Sequence, residues 1–179
     1  MKTMIITDLN IFILLTTLLI IAVVNDLRFQ KIPNILVFPA MVVSIAYHSW
    51  FSGLEGFLFS IEGIGLGMAV LMAFHLFGGM GAGDVKLMGA VGGFLGPKGV
   101  FIAFLLTALI GGIYSLAMLA FHGYLRGTLK RYGAMLKTFM ITRKIVYIST
   151  SNRESSLRLC YGVPIALGTF LTFLLKSFI

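Results

Sequence analysis

Charged residues are scarce in this chain. Asp, Glu, Lys and Arg make up 11% of its 179 residues, against 59% hydrophobic. That is too little polar surface to hold a soluble domain in water, which excludes an ordinary globular enzyme. Acids are the scarcest, six against fourteen Lys and Arg. Cysteine occurs once, at Cys160, which excludes an internal disulfide and a thiolate metal cluster. A lone thiol in apolar surroundings reads as a buried, inert packing residue. His48, His75 and His122 are scattered and form no HExxH, so no metal site is expected. A Walker-type Gly-Lys-Ser/Thr and a Gly-x-Ser-x-Gly are both missing, so neither a phosphate-cradling loop nor a serine nucleophile is supported. No cofactor is expected.

What the chain does contain is apolar runs of about 18–20 residues, the length that spans a bilayer. The expected architecture is an all-α membrane protein with about six transmembrane helices, forming one domain over residues 1–179. The spans run roughly over Met4–Val24, Ile35–Trp50, Phe57–Phe77, Leu87–Leu95, Val100–Phe121 and Leu159–Phe178. The first reads as an uncleaved span, because Asp8 interrupts its start and no small-residue cleavage site precedes Asn25. The fourth is too short to cross alone unless its helix begins earlier. Turns are expected at NDLRFQKIPN, where Pro33 breaks helix, and at SGLEG and GPKG.

The net charge of +8 is expected to mark topology, with no nucleic-acid partner. Arg28, Lys31, Lys86 and the basic residues from Arg126 to Arg158 fall on one face; Lys2, Lys98 and Lys176 fall on the other. The first face should be cytoplasmic and both termini outside. Residues 122–158 form a basic cytoplasmic loop. Within it Leu125, Leu129, Tyr132, Leu136 and Phe139 recur at helical spacing, as expected of an interfacial helix against anionic headgroups.

This topology places two carboxylates at the cytoplasmic edge. Asp26 ends the first span and Asp84 begins the fourth, inside GGMGAGDVKLMGA. An acid so close to hydrocarbon is costly and marks function by default. Two nearby carboxylates in a low-dielectric site share a proton, the equipment of aspartyl proteolysis. One member takes a proton from water while the other supports the scissile carbonyl. Both acids should face one cavity formed mainly by the first and fourth spans. Gly81 and Gly83 should let the backbone unwind there and admit a peptide. Gly63, Gly65, Gly67, Gly92, Gly93, Gly111 and Gly112 read as helix-packing positions. Glu62 falls within the third span and reads as a hydrogen-bonded structural acid.

GAGD followed by VKL, with DLRFQKIPN upstream and YGVPIALG before the last span, resembles the type IV prepilin peptidases, inner-membrane aspartyl proteases of the GxGD class. The resemblance covers nearly the whole chain. It implies removal of a basic leader from prepilins or pseudopilins at the cytoplasmic edge, with Asp26 and Asp84 as the catalytic acids. Lys86 matches a lysine beside the second acid; Arg28, Pro33 and Asn34 belong to the upstream motif. Larger members carry an insertion with paired cysteines linked to N-methylation. This sequence resembles the short forms serving Tad/Flp-type pili, which implies cleavage without methylation. Other readings are an archaeal preflagellin-type or presenilin-like GxGD protease, and a small proton-coupled transporter or assembly scaffold.

Overall fold

The computed structural model describes residues 2–76, 80–121 and 160–178. The described residues form helices α1 (Lys2–Phe29), α2 (Asn34–Leu76), α3 (Ala82–Phe121) and α4 (Gly162–Phe178). Three of these are long and apolar enough to cross a membrane, over Asn10–Phe29, Asn34–Leu76 and Ala82–Met118. The chain divides into two compact units. One comprises residues 1–111 and 160–179, and the other residues 112–159. In the second unit only residues 112–121 are described; they are the apolar end of α3. The expected basic interfacial helix of residues 122–158 lies outside the described residues.

A straight helix of 43 residues would reach about 65 Å, twice the hydrocarbon thickness. α2 does not run straight. Gly53 leaves the helical region with φ 60°, where a side chain would be strained. The chain then doubles back: Ser60 Oγ donates to the Ser44 carbonyl at 3.1 Å, although 16 residues separate them. α3 is broken in the same way at Gly96, φ 71°. A Cβ on Gly67 would touch both Met88 and Val100. Those residues would be about 18 Å apart on a straight helix. Pro97, nominally inside α3, therefore opens its second arm, where proline is well tolerated. The turns expected at SGLEG and GPKG narrow to these two glycines.

The first arm of α3, residues 82–95, forms the middle of the first unit. From Asp84 to Phe94 every residue except Lys86 is buried. An all-round apolar helix surrounded by protein has no need of full membrane length. It starts at Ala82, five residues before the apolar run from Leu87 that marked it in the sequence. Its close fit against α2 depends on glycine. A Cβ on Gly63 would strike the Gly92 carbonyl, and one on Gly92 would strike the Gly63 carbonyl. Gly67 and Gly93 are similarly enclosed. Gly65 and Gly112, expected to pack likewise, have nothing within 4 Å, and Gly111 has only ordinary contacts. Small residues where backbones touch are how membrane helices approach closely. Gly92→Val is therefore expected to destabilise the protein by about 3 kcal/mol through forced separation of the two backbones. Gly65→Val should leave the thermal midpoint in detergent nearly unchanged.

α1 extends into the first half of the expected turn, as far as Phe29. The NDLRF segment carries no helix breaker, and Pro33 restricts only its own residue and the one before it. The helix ends at Phe29, because Gln30 adopts φ 51° while its N–H still donates to the Asp26 carbonyl at 2.9 Å. Residues 30–33 alone connect α1 to α2.

Candidate active site

Asp84 is the third residue of α3, and its carboxylate reaches back to the helix start. Its Oδ2 accepts from the Gly81 N–H at 3.1 Å, while the Asp84 N–H donates to the Gly81 carbonyl at 3.1 Å. This reciprocal pair satisfies donors that a helix N-terminus leaves open, and the helix dipole favours an anion there. Asp26 is held by a different helix. Its Oδ2 accepts from the N–H of Gly162, the first residue of α4, at 2.9 Å. Each acid is thus fixed at the start of a helix, and each uses one oxygen for that contact. No hydrogen bond to the other oxygen of either acid is found among the described residues.

The two carboxylates line one cavity of about 550 Å³. They are only 6% and 7% exposed, so a reactant reaches them through that space. The remaining walls are Asn25 and Phe29 at the end of α1, the 30–33 connection with Asn34, and Gly81 to Gly83 at the start of α3. Asp26 is near enough for its charge to act on Asp84, and both act on the Cys160 thiol. Burial first, then Asp26 and Asp84, push that thiol up, which keeps it protonated and a poor nucleophile. Cys160 is half-buried, not fully buried as expected, and its Sγ lies 3.7 Å from the Asp26 carbonyl oxygen.

The supporting residues fall into two groups. Pro33 and Asn34 line the cavity, and Asn34 Oδ1 accepts from Lys86 Nζ at 2.9 Å. The Lys86 ammonium also stands 5.5 Å above the Phe38 ring, so it ties the IPN segment to α3. Arg28 is exposed and does not line the cavity. Glu62 is exposed on α2, and the hydrogen-bond partner expected for it is not found among the described residues.

Gly81 precedes α3 and lies outside the helix, as an unwound motif requires, but Gly83 is helical with no unusual φ. The reason for glycine at 83 is proximity. A Cβ there would lie 3.1 Å from Ile32 Cβ and 3.4 Å from Ile32 N. Gly83→Val should therefore lower turnover about tenfold by displacing the 30–33 connection. Ile32→Ala should restore part of that loss, and a double-mutant cycle checks the coupling. Sequence reasoning missed Gly162, where a Cβ would lie 2.8 Å from Asp26 Oδ2. The following Val163-Pro164, with proline in a first helical turn, was the available signal of a helix start.

Residues 13–116, which include both acids, match the type IV leader peptidase family. The chain belongs to that family. It is also 39% identical over 111 residues to the prepilin leader peptidase/N-methyltransferase of Bacillus subtilis (strain 168). That match covers 56% of this chain and 41% of the relative, so the chain spans less than half the relative's length. No solved structure matches. The described cavity with its two acids is where the chemistry of that family is to be sought.

Proposed function

We propose that this chain is an aspartyl prepilin leader peptidase acting through Asp26 and Asp84. The observation that carries the reading is the convergence of the two buried acids, from α1 and α3, on one cavity. Water held between them loses a proton to the ionised carboxylate as its oxygen attacks the scissile carbonyl carbon. The protonated carboxylate donates to the carbonyl oxygen, giving a tetrahedral diol. Collapse breaks the C–N bond: the leaving nitrogen takes the proton first accepted from water, and a diol hydroxyl returns its proton to the other carboxylate, restoring the starting pair. The leader departs with a new carboxyl end, and the remaining protein keeps a new amino end. No covalent intermediate forms. Gly81 and Gly162 hold one oxygen of each acid still while the other oxygen works.

In this reading the helical rods of α1, both arms of α2, both arms of α3 and α4 each cross the inner membrane once. The cavity faces the cytoplasm, and basic residues 122–158 lie against anionic headgroups. The substrate is a prepilin or pseudopilin with a basic leader. Cleavage proceeds without methyl transfer. The single cysteine, against the paired cysteines of the larger members, supports that restriction.

Purified protein in detergent, given a prepilin peptide and S-adenosylmethionine, tests these points together. Leader removal is expected without any ion gradient, and the product should show no methyl mass shift. Absence of cleavage across candidate prepilins from the same genome would overturn the protease assignment. A methyl shift that depends on this protein would overturn only the restriction to cleavage.

A further inference from the structure

The proposed mechanism uses Asp84 and leaves His75 unexplained. His75 is half-buried in the last turn of α2, and its Nδ1 lies 2.8 Å from the Met80 carbonyl oxygen. That oxygen belongs to the Met80–Gly81 peptide. The same peptide's N–H, on Gly81, lies 3.1 Å from Asp84 Oδ2. One planar amide therefore has an imidazole at its oxygen and a carboxylate at its N–H.

A carbonyl oxygen brings no proton, so the donor in the first contact is His75 Nδ1–H. Two physical effects reach Asp84 from there. The amide is rigid and planar, so holding its oxygen also aims its N–H. Donation to the oxygen draws electron density along the amide and makes the N–H a stronger donor. Among the described residues, Gly81 is also held through its carbonyl, which accepts from the Asp84 N–H at 3.1 Å.

We propose that His75 is a positioning residue for Asp84, acting through the Met80–Gly81 peptide. This rests on Asp84 being one of the two acting acids. His75 is not among the described residues that line the cavity, so the proposed role needs no contact between His75 and the reacting groups. Its removal should slow turnover and leave substrate affinity alone.

His75→Leu and His75→Asn test this in the full chain, purified in detergent with a prepilin peptide. The two side chains branch alike, but Asn Nδ2 can donate from the place of Nδ1 and Leu cannot. His75→Leu should lower kcat about tenfold, the worth of one hydrogen bond, with KM unchanged. His75→Asn should stay within about threefold of wild type. Equal loss in both variants, loss in neither, or a loss carried by KM overturns the proposal. Asp84→Asn is run beside them. An active Asp84→Asn enzyme defeats the underlying mechanism and this proposal with it. An inactive one beside a fully active His75→Leu defeats the positioning role alone. A second measurement does not depend on the Leu variant folding. In wild-type protein labelled with 15N-histidine, the His75 signals are those absent from His75→Asn. Nδ1 is expected to be protonated and hydrogen-bonded, and an unprotonated Nδ1 overturns the proposal.

Discussion

Asp26→Asn and Asp84→Asn are each expected to reduce leader removal about 1,000-fold or more, because proton transfer by a positioned group contributes on that order. The substitution is conservative in shape. An Asn side-chain oxygen can still accept from the Gly162 or Gly81 N–H that now holds the carboxylate. The helix starts should survive, and only the ability to take or share a proton is lost. The double variant should be little worse than either single one, since the acids act as a unit. Initial rates of leader release, read beside thermal midpoints, check this. Substantial turnover by a well-folded single variant would remove that acid from the mechanism. Glu62→Gln should keep its activity, because Glu62 lies on the exposed side of α2.

The second large effect is expected at Gly162. A methyl group there would lie 2.8 Å from Asp26 Oδ2 and 3.2 Å from Asp26 Cβ, so the acid must move. Catalytic groups displaced by about 1 Å lose on the order of 100-fold in rate. Gly162→Ala should show that loss in kcat, and Gly162→Val a larger one. Gly162 is not among the cavity-lining residues, so KM should change less than kcat. An active Gly162→Val enzyme would mean that Asp26 does not need its contact with α4.

The acids were legible in the sequence because charge beside hydrocarbon is costly and has few bland explanations. The spacing of apolar runs likewise gave the helical rods, including those divided at Gly53 and Gly96. Helix ends were less legible. Nothing local distinguishes Asn25–Phe29 from a turn, since what ends α1 is the left-handed Gln30, a residue with no special preference for that conformation. The role of Gly83 was misread for a related reason. A glycine reports equally a backbone angle or a close neighbour, and the neighbour, Ile32, belongs to another segment. His75 carried no signal at all, because its partner is a main-chain carbonyl beyond the end of its own helix. Long-range contacts of this kind leave no periodicity to read.

The contact between Asp26 and Gly162 joins residues 136 positions apart in the chain. Ribosomes add about 5–20 residues per second, so Asp26 waits on the order of ten seconds in the membrane before its partner is made. During that interval the carboxylate lacks the N–H that later orients it. The start of α4 thus acts as the closing clasp of biogenesis. In the proposed mechanism a half-synthesised chain would have both acids but not the N–H that orients Asp26, so cleavage would wait for the start of α4.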